Sequence, residues 1–572
     1  MPNKPEFISK KLYYAAFAFI VVFAGFLRIT NIGFHLPLDP HIDEMTVVGA
    51  TVSIARTGFP DFYNYPSLLM YLAVAVTTPI WLFGKIFLDF PGWADFWNSF
   101  IVHPTMLITV LRAISALFGT ALVGIIMLCA EKVHGRVSAL FSGAICSYIF
   151  VLVFNTRAAR TDTPMAALAC LSVYFALLIL QNGEKRNYIL AGIFAGLTAS
   201  MKYNGGVVLL AGVLAHILRF RAEGATWKEI WKHSHARWMV RLSIITFVIT
   251  SPGTIFDTVK FLSGFGKEFV HMRAGHFGYE TAGNGFIYNL TVNWPIAVGI
   301  PVIIAALAGV VFLALNKEKR RKTAVFLVFP AVFFLLMGGG NVLFMRYLVP
   351  LAPFAGALAG IGLGSAYTRF RRWRITNLVI ALLLAIIIWP TAQASLRYLQ
   401  LSKQPPTSEL VREYILENLP RGAGIGSYAR IEGFYGTREH FEEKIDKTYR
   451  GKFKDVILEY APDIRFEYDY RQFGRYEASP PAALRTMGIE YYIWSNAHYG
   501  RYKLAEVDYP AQSSAIDQIL DEGETIFEVS GIGMDMEWDL NMSNLRSSKR
   551  LGPDMKIIRI PQNSPESEII LE

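Results

Sequence analysis

Cysteine and charge are both scarce in this sequence. Three cysteines occur among 572 residues, Cys129, Cys146 and Cys170, and all three lie in apolar runs. They read as small buried hydrophobes. Residues 397–572 contain none, which excludes a disulfide framework or a cysteine metal site there. Charged residues make up 17% of the chain, against about 25% in an average soluble domain. The net charge is +10, but many of the basic residues fall in short loops between apolar runs. No basic stripe with interleaved aromatics is present, so nucleic acid is not an expected partner.

Apolar residues are abundant instead, at 53%. They gather in runs long enough for a bilayer, which takes roughly 20 mostly apolar residues to cross. The run Leu12 to Leu27, flanked by Lys4, Lys10 and Lys11, reads as an uncleaved first span. Apolar stretches follow at 106–129, 137–155, 163–181, 188–201, 206–219, 240–253, 287–315, 323–338, 342–365 and 376–394. With the first, 12–30, the expectation is about eleven spans. The stretch 66–88 is ambiguous. If it does not cross, the loops at Glu131–Arg136, Glu184–Arg186, Arg219–Arg241, Lys317–Lys322 and Arg369–Arg374 share one side with the N-terminus. Lys and Arg favour the cytoplasmic side, so 66–88 is expected to lie along or partly in the membrane surface.

The expected architecture is a polytopic α-helical membrane part, residues 1–396, with a long first external loop at 31–105. A soluble external α/β domain, residues 397–572, follows it. Pro405 and Pro406 mark the linker. Ser408 to Leu419 reads as an amphipathic helix, and Ile489 to Trp494 and Lys556 to Ile560 read as strands. No internal repeat is evident.

Four features on the external side carry chemistry. The first is Asp39-Pro40-His41-Ile42-Asp43-Glu44, where an acidic pair supplies either a general base, a metal ligand or the cap of a helix. The second is Arg157-Ala-Ala-Arg160-Thr-Asp162-Thr-Pro164, in which Asp162 or Thr163 suits a helix cap. The third is Lys202, at the end of a span. The fourth is Arg346, inside an apolar run, where an arginine needs a partner or a water-filled cavity. Arg28 ends the first span on the same side. Basic residues normally avoid such short external loops. A cationic ring facing carboxylates points to a bound anion, and a lipid phosphate is the natural candidate. His276, in His271-Met-Arg273-Ala-Gly-His276-Phe-Gly278, is a candidate metal ligand, proton-transfer group or phosphate contact.

Together these motifs resemble the GT-C class of polyprenyl-phosphate-sugar-dependent glycosyltransferases, in the branch related to protein O-mannosyltransferases and aminoarabinose transferases. Arg28 before Asp43-Glu44 resembles that family's arginine and first acidic motif. Tyr65-Pro66-Ser67-Leu68 resembles its Tyr-Pro-Pro-Leu segment, and Arg160-Thr-Asp162-Thr-Pro164 its second acidic motif. The segments Gly196 to Gly205, Gly275 to Gly278 and Arg346 to Pro350 are also similar. Where aminoarabinose transferases have an acidic residue and a lysine, this chain has Asn64 and Tyr65. That departure puts a metal site of their kind in question; no cofactor is certain, and a divalent metal stays open.

The resemblance implies sugar transfer, with inversion, from a polyprenyl-phosphate sugar to a protein, lipid or glycan acceptor outside the cytoplasm, at an inner (cell) membrane. It implies Asp43 as the base, with Glu44 and Asp162 as the other candidate catalytic carboxylates. Arg160, Lys202, Arg346, Arg28 and His276 are the candidate phosphate contacts. The rival reading is a transporter or flippase for a lipid-linked anion. Such a protein places charges near the bilayer midplane and shows a repeated topology.

Overall fold

A computed structural model describes residues 8–37, 42–429 and 467–562, together with residues 431, 434 and 442. Asp39, Pro40 and His41 lie outside the described residues. Ten helices lead the chain: α1 (Lys10–Ile29), α2 (Ile42–Thr57), α3 (Leu68–Phe87), α4 (Trp93–Val102), α5 (Thr105–Val133), α6 (Arg136–Tyr148), α7 (Phe150–Thr156), α8 (Asp162–Asn182), α9 (Lys185–Met201) and α10 (Leu209–Ala222). Every apolar stretch named above is helical over most of its length, though 342–365 begins its long helix only at Ala352. Among the described residues, six helices are long and apolar enough to cross a membrane, or up to eight if the bent pairs α6–α7 and Gly285–Ala297 with Ile300–Leu315 each count as one. This is fewer than the expected eleven, for a simple reason. Lys185–Met201 and Ser234–Thr250 have 17 residues each, and the 18-residue Arg320–Met337 opens on three basic side chains.

Contacts between helix ends supply what length alone does not. Tyr13, early in α1, donates to Glu131 near the end of α5 at 2.9 Å, and Lys322 donates to the Lys132 carbonyl at 2.8 Å. These ends share one side. At the other side Asp43 meets Arg160 and Arg346, and Asp162 meets Lys202. Asp43 precedes α3, and Arg160 follows α5 and the α6–α7 pair. With α5 and the α6–α7 pair each crossing once, an even number of crossings separates Asp43 from Arg160 only if α3 stays on one side. It is nevertheless 20 residues long and apolar enough to do so. Its outer face exposes Phe83, Ile86 and Phe87, as a helix lying in the membrane surface would.

The tail forms a five-stranded mixed sheet of β1 (Gly424–Ser427), β2 (Asp469–Gln472), β3 (Tyr491–Ser495), β4 (Glu524–Val529) and β5 (Met555–Arg559), in the order β2-β1-β3-β5-β4. β1 runs parallel to β2 and β3, while β5 runs antiparallel to β3 and β4. The expected strands at 489–494 and 556–560 are β3 and β5, shifted by one or two residues. The expected amphipathic helix is Thr407–Asn418, burying Val411 and Ile415 on one face. This soluble part seats on the membrane part at several points. Arg397, in the last long helix (Thr376–Leu401), donates to the carbonyls of Leu545 and Ser548 at 3.0 and 2.7 Å. Phe277 inserts among Tyr502 and Tyr509, and Arg475 pairs with Glu280 at 3.2 Å.

Single cysteines placed at the exposed positions Ser234 and Ser514 should react with a membrane-impermeant thiol reagent from opposite faces of sealed vesicles. The native cysteines are buried and serve as an internal blank. Labelling of both from one face would contradict the crossing count.

Candidate active site

Each site residue sits where a helix starts or breaks. Asp43 is in the first turn of α2, where the helix dipole favours an acidic group. Asp162 opens α8, with Pro164 in its first turn. The expected capping role fails: Thr161 holds the N-cap position without a side-chain cap bond, and the Asp162 carboxylate turns to Lys202 instead. Lys202 is extended between α9 and a 3₁₀ turn at Tyr203–Val208. That turn lies close against α8 and α9, since a Cβ on Gly205 would come within 2.7 Å of Thr198 and 2.9 Å of Met165. Arg346 lies in a second 3₁₀ turn, Met345–Leu348, ahead of the helix Ala352–Phe370.

These breaks converge on one cavity of about 360 Å³. Asp43, Arg160, Asp162, Lys202 and Arg346 all line it, with Tyr65 and Tyr347 as aromatic walls. Arg346 approaches the Asp43 carboxylate to 3.2 Å and Arg160 approaches it to 3.7 Å. Lys202 donates to Asp162 at 2.7 Å and lies 4.4 Å above the Tyr347 ring. Arg346 stacks 4.1 Å over Phe344. Burial works to lower the Arg346 pKa, but Asp43 and the tail residue Glu537 more than offset it and hold the guanidinium charged. Burial, with Asp43 beside it, pushes the Tyr65 hydroxyl upward, so it stays a hydrogen-bond donor at neutral pH.

The remaining candidates fall elsewhere. Glu44 is fully buried and does not line the cavity. It accepts two 2.7 Å bonds from Arg112 and one of 2.9 Å from the Ala159 amide. Its environment is that of a structural anion. Arg28 is also fully buried, and it donates to the carbonyls of Ala24, Cys146 and Ser147. The last two sit where α6 ends, and the axis bends by 59° into α7. A broken helix leaves carbonyls without partners, and Arg28 satisfies them. Arg157 is bound likewise to the carbonyls of Thr30 and Asn31. His276 lies 4.9 Å from the Phe344 ring, outside the cavity lining. Burial, helped by Arg501, His271 and Arg346, lowers its pKa to about 4, so the ring is neutral.

Sequence reasoning missed two residues. One is Arg112, whose signal was an ionisable side chain inside a long apolar run. It also donates to the carbonyls of Ile32 and Phe34 at 2.9 and 2.8 Å. The other is Glu537, which no local pattern in the tail marks. Among the described residues no three His, Cys, Asp or Glu side chains gather as a cation cage. Asp43 and Asp162 already face cations, and a divalent metal would have to displace them. The arrangement suits an anion better than a metal.

Residues 100–262 match a family model described as dolichyl-phosphate-mannose-protein mannosyltransferase. The matched segment holds Arg112, Arg160, Asp162 and Lys202. A protein of Aquifex aeolicus (strain VF5), named only as uncharacterized, is 23% identical over 390 residues, 67% of this chain and 70% of its own. The solved oligosaccharyltransferase of Archaeoglobus fulgidus in the apo form aligns with a TM-score of 0.50 at 12% identity, covering 92% of this chain and 74% of that one. ArnT from Cupriavidus metallidurans in the apo state aligns with a TM-score of 0.50 at 12% identity, covering 96% and 98%. At such identities the two structures speak for the fold.

The division of labour between the adjacent acids is testable by thermal unfolding in detergent. Glu44→Gln weakens a buried, doubly bonded ion pair and should cost about 3–5 kcal/mol. Asp43→Asn alters a partly exposed contact and should cost within about 1 kcal/mol. Equal melting shifts would contradict the assignment.

Proposed function

We propose that the chain is a glycosyltransferase of the GT-C class using a polyprenyl-phosphate sugar as donor. Its acceptor is a protein, lipid or glycan on the extracytoplasmic face of the inner membrane. The matched family is named for a dolichyl-phosphate sugar donor. A second structure of the Archaeoglobus fulgidus enzyme, with a TM-score of 0.50, is described as tethered to an acceptor peptide. The observation that carries the reading is the cavity itself, where Arg160, Lys202 and Arg346 meet two carboxylates.

The chemistry follows from those side chains. The donor phosphate takes the guanidinium of Arg346 and the ammonium of Lys202 as charge-assisted partners, with Arg160 beside them. That competition loosens the hold of Arg346 on Asp43. The acceptor hydroxyl then attacks the anomeric carbon from the face opposite the phosphate. As the new carbon–oxygen bond forms, Asp43 accepts the hydroxyl proton and the anomeric carbon–phosphate oxygen bond breaks. Polyprenyl phosphate leaves with the electron pair, and the anomeric configuration inverts. Asp162 holds Lys202 in place. The cations stabilise charge growing on the leaving phosphate, in a site partly shielded from water. In this reading residues 1–396 carry the reaction, and residues 397–572 cover the site. The basic loops at the far ends of the helices face the cytoplasm.

The test is turnover of a labelled polyprenyl-phosphate sugar by the purified protein. Acceptor-dependent release of polyprenyl phosphate is expected. Asp43→Asn should lower turnover by about 10²–10⁴-fold while donor still binds. Lys202→Ala and Arg346→Ala should raise the donor KM more than the acceptor KM. Near-normal turnover of Asp43→Asn at saturating donor and acceptor would remove Asp43 as the base. Movement of lipid-linked sugar across vesicles without any transfer would favour a flippase.

A further inference from the structure

Glu537 is the first residue of a 3₁₀ turn, Glu537–Leu540, in the soluble tail. Its neighbours press this turn against the membrane part. Trp538 meets the Tyr279 ring edge-on at 5.1 Å, Tyr279 meets Phe344 at 5.6 Å, and Phe344 carries Arg346 on its face. Both Glu537 carboxylate oxygens are buried, and among the described residues neither has a hydrogen-bond partner. Arg346 and Arg160 are the cations that act on it, and together with the backbone amides of Met345 and Arg346 they favour its charged form. Tyr279 and Tyr288 are the titratable groups beside it, both held protonated chiefly by burial. Glu537 is not part of the cavity wall. Arg346, which does line the cavity, is the first-named cation acting on its charge, and so it is the group through which Glu537 reaches a ligand.

A buried carboxylate without hydrogen-bond partners is expensive to keep. Its place in the charge balance gives a reason. With Glu537 counted, three carboxylates (Asp43, Asp162, Glu537) face three cations (Arg160, Lys202, Arg346). The reaction changes the ligand's charge. A polyprenyl-phosphate sugar is a diester with one negative charge. The product is a monoester carrying about −1.5 to −2 at neutral pH. A purely cationic seat would therefore grip product harder than donor and stall.

We propose that Glu537 is a positioning residue, delivered by the tail to Arg346, whose counter-charge weakens the grip on the phosphate monoester and so speeds product release. This rests on the donor-phosphate reading of the cavity. Burial pushes the Glu537 pKa upward while Arg346 and Arg160 pull it down, with a net rise. The counter-charge is therefore lost at a higher pH than for an exposed glutamate.

The test uses the full chain in detergent or nanodiscs, with farnesyl phosphate as the product probe. Glu537→Gln should bind it on the order of tenfold more tightly than the wild type. The KM of the diester donor should fall by a smaller factor, and product inhibition should strengthen. Glu537→Asp should stay near wild type, and adding Arg346→Ala to Glu537→Gln should erase the gain. Unchanged or weaker farnesyl phosphate binding by folded Glu537→Gln would overturn the proposal, as would an equal change in donor and product affinity. Farnesyl sulfate gives a second readout on the wild type alone, because its charge is constant. Its affinity should rise as pH falls and Glu537 is neutralised, at a higher pH than an exposed glutamate would be, and a flat profile would overturn the proposal. If neither wild type nor variant binds farnesyl phosphate, the phosphate seat itself fails, a result distinct from binding that ignores position 537.

Discussion

The site depends first on the buried pair of Glu44 and Arg112. Arg112 grips Glu44 with two bonds and holds the carbonyls of Ile32 and Phe34 with its remaining nitrogen, while Glu44 also takes the Ala159 amide. One interaction therefore joins three separate parts of the chain: the segment after α1, the start of α2, and the loop ahead of α8. Such a pair is a poor source of net stability against an apolar replacement, but breaking it leaves a buried charge unmatched. Its value is positional. Successive helix residues point about 100° apart. With Glu44 fixed inward, Asp43 is turned into the cavity, beside Arg160 from the very loop that Glu44 holds.

The cavity is arranged so that each charge is kept usable. Asp43 keeps Arg346 charged despite burial, and Lys202 gains its charge partner from Asp162. Phe344 and Tyr347 give the cations aromatic faces to rest on. These contacts spare the site a large rearrangement when an anion enters, since the donors are already in place. The carboxylates that hold the cations are also the groups a transfer reaction needs once the anion has taken those cations over. In the proposed reaction a single geometry thus serves as an ion-paired resting state and as a phosphate seat.

Much of this was legible in the sequence, and the reasons differ by residue. Asp43, Arg160, Asp162, Lys202 and Arg346 were singled out because cations in short loops read as external break the usual charge bias. Sidedness needs no three-dimensional information beyond counting spans. The same rule failed for Arg28 and Glu44, which share that side but turn inward. Arg28 is spent on carbonyls exposed by the break between α6 and α7, and no sequence pattern announced that break. Arg112 sits mid-run in α5, where its partner, 68 residues away, could not be read from spacing. Glu537 belongs to the tail, and only docking of Trp538 and Met536 against Tyr279 and Leu343 brings it to Arg346. In the tail, strand alternation located β3 and β5 to within two residues, whereas the order of the five strands depends on long-range pairing.

The most direct measurement of the central claim is a structure of the full chain with a short-chain polyprenyl phosphate bound. The account predicts the phosphate in the cavity, bonded to Arg346 and Lys202, with the Asp43 carboxylate released from Arg346 and open to the space above the phosphate. The pair of Glu44 and Arg112 should be unchanged. A phosphate seated elsewhere, with Asp43 still held by Arg346, would contradict it.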